Sequence, residues 1–460
     1  MSNKGHEIIP SARRLMKSLR DLGYDFPAAV ADLVDNSVEA KATLVAIDIE
    51  FDGDDSWVRI ADNGKGMTPS ALKEAMRYGA QREYEGDDLG KFGLGLKTAS
   101  MSQCQCLSVA SRVNPDRADI AAFRWDIDHI EKTDRWEILP VDRNGLEPTI
   151  REPLKDGPGT VVLWQRLDRM LGFKHPYGEF ARKRLLSMCR ELEEHLGMVF
   201  HRFISGEARS KKLKILVNGN QVAPWDPFAR SEQFTQQLQP VTLTLEQDGI
   251  VLGDVLIEPF VLPHQDKFSS PSAHAKASGP SKWNRQQGFY IYRAGRMIQS
   301  GGWSNLRTLD EHLKLARVAI SFKPKLDEAF KINVAKMRVQ LPQSLREEIE
   351  KAIGPVLRMA DKAYRGKTTP PTGNTHSPLS GGAPANGPGE KPVAGGSTDN
   401  GSDPPISPSG DPPSAPASRL WTFDDLAEEL EAAATTEEKP VIKGIISRLR
   451  RQFRAVGRVE

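Results

Sequence analysis

Four oxygen-bearing side chains recur at helical spacing within "AVADLVDNSVEAKAT", Ala29 to Thr43. Asp32, Asp35, Asn36 and Glu39 fall at i, i+3, i+4 and i+7, positions that share one face of a helix. Val30, Leu33, Val34 and Val38 form the apolar stripe that would turn toward a core. No basic partner lies nearby, and crowded hard oxygen ligands suit a divalent cation such as Mg²⁺. An amphipathic surface helix with a solvated acidic face has the same pattern. On this stretch alone both readings stand.

Two further stretches bear on ligand chemistry. "ADNGKGM", Ala61 to Met67, leaves a strand and enters a turn. There Asp62 could accept the exocyclic amine of a purine, while Gly64 and Gly66 let the backbone come close to the ring. "GDDLGKFGLGLKTASM", Gly86 to Met101, places Gly90, Gly93 and Gly95 before a helix opened by Leu96, Lys97 and Thr98. A glycine loop entering a helix offers N–H groups and a favourable dipole to phosphate, with Lys97 adding charge. The spacing is neither that of a Walker A loop nor that of a dinucleotide fingerprint.

The elements that must position these residues can be outlined from pattern. "LVAIDIEF", "WVRIADNG", "CLSVASR" and "GTVVLWQRL" read as strands of a first block, and Glu179 to Phe203 as a helix. A second block carries "KKLKILVNG", "VTLTL", "FYIYRAGRMI" and "RVAISF" as strands. It ends in a helix that starts at Gln343 and stops near Gly354. A polar loop, "HQDKFSSPSAHAKASGPSKWNRQQ", reads as a mobile interruption. From about Gly366 to Ser418, Pro, Gly and Ser dominate, the composition of a flexible tether. The tail beyond it is acidic and then basic. Thr422 is a candidate N-cap, and Ile442, Ile445, Ile446, Leu449 and Phe453 share a face ringed by arginines. Such a basic amphipathic helix suits a partner groove, a nucleic-acid backbone or a membrane surface, or folds back on the acidic half as a hairpin.

The 460 residues are 38% hydrophobic and 27% charged, with a net charge of +2. That is a soluble composition with no global field favouring nucleic acid. The three cysteines, Cys104, Cys106 and Cys189, do not have zinc spacing and read as reduced thiols. Neither a signal-peptide core nor a membrane-spanning run is found, so a cytoplasmic location with no membrane partner is expected.

The order of these motifs resembles the GHKL ATPase superfamily, which includes gyrase B, the heat-shock chaperones, histidine kinases and MutL. "DLVDNSVEA" is similar to the N box, "DNGKG" to the first glycine box, "GKFGLGLK" to the second, and Gly159-Thr160 to the third. "MRYGAQRE", "GLGLKTASM", "ILVNGNQVAPWDPF" and "GFYIYRAGRMI" resemble the MORC-like branch and its bacterial relatives. The resemblance implies that Asn36 coordinates Mg²⁺, which binds the three phosphates of ATP, with Asp32 as general base. It implies nucleotide contacts from Asp62, Gly64, Gly66 and Met67, from Gly90, Lys91, Phe92, Gly93, Leu94, Gly95, Leu96 and Lys97, and from Thr160. "INVAKMRVQLP" is similar to a MutL stretch in which a lysine reaches the γ-phosphate, here Lys336. Most hydrolytic members have Glu where Asp32 stands. One methylene less draws the carboxylate back by roughly 1 Å, where general-base geometry asks for about 2.6–3.2 Å, so slow hydrolysis is expected.

The fold implied is α+β: a Bergerat-type ATP-binding α/β sandwich over 1–170 and a connecting helix over 171–212. An S5-like transducer over 213–365, a disordered linker over 366–418 and a helical tail over 419–460 would follow. The activity implied is an ATP-gated homodimeric clamp. The lid, residues 68 to 95, and the arm "HEIIPSARRLMKSLR" would pack across the second subunit. DNA is the expected client, in defence or repair, and the tail could engage a protein partner. The rivals are an ATP-sensing scaffold with little turnover that recruits a partner enzyme, and a chaperone-like ATPase acting on proteins.

Overall fold

The computed structural model describes residues 9–21, 24–79, 95–113, 120–142, 145–170, 177–208, 211–332 and 339–366. Gly90 to Leu94, Lys336, the tether and the tail lie outside them. The fold is α+β, built on two sheets within one compact unit spanning Met1–Gly373.

The first sheet holds β1 (Leu44–Glu50), β2 (Trp57–Asp62), β3 (Cys106–Arg112), β4 (Ala121–Asp126), β5 (Leu139–Pro140), β6 (Gly159–Gln165), β7 (Lys214–Val217) and β8 (Asn220–Gln221). Their order is β5-β4-β3-β6-β2-β1-β7-β8, antiparallel except where β7 runs parallel to β1. Lys214–Val217 therefore completes the first sheet, although the sequence pattern sets it at the head of the second block. β4, absent from the strands read in the sequence, pairs with β3 along its length.

Helices α1 (Ala12–Arg20), α2 (Phe26–Glu39), α3 (Pro69–Met76), α4 (Gly95–Met101) and α5 (Ile127–Thr133) belong to this half. So do the short α6 (Pro148–Arg151), then α7 (Glu179–Val199) and α8 (His201–Ser205). Alternate residues of the strands, among them Val45, Ile47, Val58, Ile60, Val109 and Trp164, join the apolar faces of α2 and α7 in one core. Asp25 caps α2 by accepting from the Ala28 N–H at 2.8 Å, and Pro27 sits in the first turn. α1, part of the arm expected to cross to a second subunit, is anchored on its own chain. Arg20 donates to the Met101 carbonyl at 2.7 Å and pairs with Asp168 at 2.6 Å, while Ser11 Oγ donates to Asp134 at 2.8 Å.

The second sheet runs β10 (Val241–Gln247), β11 (Ile250–Val261), β14 (Ala316–Phe322), β12 (Gly288–Arg293), β13 (Arg296–Ser300), with β9 (Gln236–Gln237) also paired to β11. Phe289 and Ile291 of β12 face the long helix α11 (Arg346–Tyr364); Tyr290 and Tyr292, one residue out of phase, join Trp225, Phe228 and Met198. The helix does not stop at Gly354. It runs through Pro355 because Ile349, Ile353, Val356, Leu357 and Ala360 remain buried on either side of the proline. Tertiary packing here outweighs the lost N–H.

The polar loop is also built. It contains α9 (Pro271–Ala277) and α10 (Lys282–Arg285), and His274 stacks on Trp283 at 4.7 Å. Buried Arg317 of β14 holds the loop by donating to the carbonyls of Ala277, at 2.7 Å, and Pro227. Trp225 Nε1 donates to the Lys276 carbonyl at 2.9 Å. Cys104 and Cys106 are buried free thiols, and Cys189 is a half-buried one. Among the described residues no helix is long and apolar enough to cross a membrane.

Candidate active site

α2 carries the acid–amide face, but the face is not a solvated stripe. Asp32 and Asp35 are 2% and 0% exposed, whereas Asn36 is exposed. Their basic partner comes from the second sheet. Arg296 Nε bonds Asp35 at 2.9 Å, and its Nη2 lies 3.7 Å from Asp32 Oδ1. Tyr24 Oη donates to Asp32 Oδ2 at 2.8 Å, and burial, then Asp32, raise the Tyr24 hydroxyl pKa. Among the described residues no cluster of three His, Cys, Asp or Glu side chains is placed to hold a metal. Arg296 thus engages two of the four oxygen-bearing side chains of that face, Asp32 and Asp35.

Gly95, the first residue of α4, is close enough that a Cβ there would sit 3.7 Å from Asp32 Oδ2. Leu96 is half-buried against the core. Lys97, expected to add charge beside phosphate, is buried and donates to the Ala75 carbonyl at 3.0 Å. Burial lowers its pKa to about 8, against the opposing charge of Glu74.

At the other end of α2, Ser37 Oγ donates to Asp62 Oδ2 at 3.0 Å, and the Gly64 N–H donates to Oδ1 at 2.8 Å. Burial raises the Asp62 carboxyl pKa, opposed by bonds from Gly64, Ser37 and the Thr160 backbone. The glycines here serve the backbone itself. Gly66 has φ +67°, and a Cβ on it would lie 1.9 Å from the Arg112 carbonyl; one on Gly64 would lie 2.7 Å from Ala40 Cβ. Ser111 Oγ accepts from the Met67 N–H at 2.8 Å and lies 3.0 Å from Thr160 Oγ1, tying the first glycine turn to β6.

The structure thus gathers Asp32, Asn36, Asp62, Gly64, Gly66, Met67, Gly95 and Thr160 around α2 and the ends of β2 and β6. Sequence reasoning missed Tyr24, Ser37, Ser111 and Arg296. Ser37 alone left a trace, as a hydroxyl beside the apolar stripe of a helix interior.

An acid–amide helix laid against a glycine turn on a mostly antiparallel sheet is the arrangement of a GHKL-type nucleotide-binding domain. Residues 24–160 match the family described as "Histidine kinase-, DNA gyrase B-, and HSP90-like ATPase". Residues 24–160 thus match a GHKL-type ATPase domain, and the chain has likenesses to MutL and MORC-like proteins. It is 28% identical over 230 residues to the DNA mismatch repair protein MutL of Haemophilus influenzae strain PittGG, covering 49% of this chain and 32% of that one. MutL of Shewanella woodyi is 25% identical over 289 residues, 59% of this chain and 39% of its own. Protein MICRORCHIDIA 5 of Arabidopsis thaliana is 36% identical over 80 residues, 16% of this chain and 11% of its own. The matches to the two MutL proteins span between 32% and 39% of those relatives.

Proposed function

We propose that this chain is a slow ATPase that works as an ATP-gated homodimeric clamp on DNA. The observation that carries the reading is Asp32: a carboxylate 2% exposed, held by Tyr24 and Arg296, beside Gly95 and one turn before exposed Asn36. A buried acid so held, with a glycine-opened approach, suits proton abstraction from a positioned water.

The donor set supports a magnesium-bound purine nucleotide. Asp62, desolvated and already accepting from Ser37 and Gly64, would take the purine amine. Asn36 would present its amide oxygen to Mg²⁺, which neutralises triphosphate charge during transfer. Met67 and Thr160, joined through Ser111, would hold the purine end. Lys336 would reach the γ-phosphate, and Gly90, Lys91, Phe92, Gly93, Leu94, Gly95 and Leu96 would line the phosphates. Lys97 would first have to release the Ala75 carbonyl. The client reading rests on the two DNA mismatch repair relatives, and phosphate contacts from Lys and Arg would carry the affinity.

Asp32→Asn tests the enzyme. Turnover should vanish while ATP-driven dimerisation, read by light scattering, persists. A wild type no faster than the variant leaves the scaffold reading instead. Calorimetry in magnesium buffer should show nucleotide uptake that Asn36→Ala abolishes. Duplex binding should fall steeply with salt, and no binding with or without ATP would remove DNA in favour of a protein client.

A further inference from the structure

We infer that Arg296 is a positioning residue through which the second sheet fixes the orientation of Asp32; this rests on the reading of Asp32 as general base. Arg296 opens β13 after a two-residue turn in which Ala294 and Gly295 have φ of +47° and +86°. Positive φ at both central residues is the hairpin turn that matches strand twist. The Ala294 N–H donates to the Phe322 carbonyl at 2.9 Å, which fixes the tip. The tip is wedged against the first half of the chain, since a Cβ on Gly295 would approach Ala208 Cβ to 2.8 Å.

From that tip Arg296 reaches two carboxylates on α2, and all three side chains are at most 4% exposed. The guanidinium is planar and forked, so one group can serve two acids. It commits its short contact to Asp35 at 2.9 Å and stands 3.7 Å from Asp32 Oδ1. The second distance is an ion pair but longer than a hydrogen bond. Asp32 is therefore oriented electrostatically by Arg296 and by hydrogen bond from Tyr24. Both carboxylates lie on one helix, and the arginine lies 261 positions from Asp35. Any shift of the hairpin relative to α2 moves the charge that holds the base. Such a link makes hydrolysis depend on the placement of the second sheet.

The test compares wild type, Arg296→Lys and Arg296→Gln in steady-state hydrolysis, Mg·ATP binding by calorimetry, and thermal melting. Arg296→Gln should lower kcat by tenfold or more, since an Ångström of misplacement costs on the order of 10²-fold, while Kd for Mg·ATP changes less than about threefold. Arg296→Lys keeps charge without the fork and should fall between the two. A kcat within about twofold of wild type in folded Arg296→Gln overturns the inference. So does a parallel loss of kcat, affinity and melting temperature, which marks a merely structural pair. If Arg296→Gln does not fold, Arg296→Lys decides: wild-type kcat overturns the inference, and reduced kcat at unchanged affinity supports it. A wild type without turnover overturns the parent reading instead, before any variant is assayed.

Discussion

Two arginines face each other across the β12–β13 hairpin, and they are put to different uses. Arg293 and Arg296 are direct cross-strand partners, both nearly fully buried. Like charges so placed repel unless each has its own counter-ion. Arg293 finds Asp327 within its own half, in a two-pronged pair at 2.7 and 2.8 Å. Arg296 reaches instead into the first half, to Asp35 and toward Asp32. The same residue type, three positions along one turn, thus closes a domain on itself in one case and connects two sheets in the other. Chemistry alone does not separate a structural ion pair from a coupling one; the location of the acid does.

The comparison predicts opposite signatures, and the largest effect falls on the inward pair. Arg293→Ala leaves Asp327 buried without its main counter-charge, which costs about 3–5 kcal/mol. Chemical denaturation should show that loss, with the specific activity of the remaining folded protein unchanged. If hydrolysis per folded molecule falls as far as in Arg296→Gln, the two arginines are equivalent and the distinction fails.

A second prediction concerns the joint on which the hairpin rests. His201 of α8 is buried and lies 2.8 Å from Tyr292 Oη, and Arg202 stacks on the same ring at 3.6 Å. Burial, reinforced by Arg202, lowers the His201 pKa to about 4. Below about pH 6.5 the unfolded chain therefore binds the proton that the native chain refuses. Stability is fully present above that pH and is lost as pH falls toward 4. The shift corresponds to about 3 kcal/mol at its limit. His195 of α7, lowered to about 4 by burial and Arg296, adds a slope of the same sign. Unfolding free energies at pH 7 and pH 4.5 should differ by about 2 kcal/mol less in His201→Gln than in wild type. Equal differences would place the acid sensitivity outside the joint.

How far this organisation was legible follows from the range of each interaction. The α2 stripe, the β2 glycine turn and the hairpin are local patterns of a few residues, and periodicity exposes them. The family order of motifs implied separate roles at one nucleotide for Asn36 and Asp62. Arg296 was out of reach, because no periodicity links a hairpin tip to a helix more than 250 residues earlier. For the same reason the pattern of α2 left a solvated acidic face open, although Asp32 and Asp35 are buried. Lys214–Val217 was misplaced because strand pattern reports alternation and not the sheet in which a strand pairs. The 264–287 segment read as loose since its polar composition hides Arg317 and the tryptophans that bind it from elsewhere. At Pro355 a local breaker signal lost to a buried apolar face.

The smallest expected effect tests whether Tyr24 and Arg296 support Asp32 equally. Tyr24 lies just before α2, so it moves with the helix that carries the acid, whereas Arg296 moves with the second sheet. Tyr24→Phe removes one donor to Asp32 Oδ2 and keeps the ring. A single hydrogen bond to a charged group contributes about 1.5–3 kcal/mol when lost outright, but the ion pair from Arg296 remains to hold the carboxylate. Hydrolysis should therefore fall by only about two- to fivefold, less than in Arg296→Gln. Dimerisation driven by ATP should be unaffected, because Tyr24 has no role at the nucleotide in this mechanism. A loss in Tyr24→Phe equal to that in Arg296→Gln would mean that α2 and its neighbour set the base themselves. The hairpin arginine would then be a second structural pair, like the one across the strand from it.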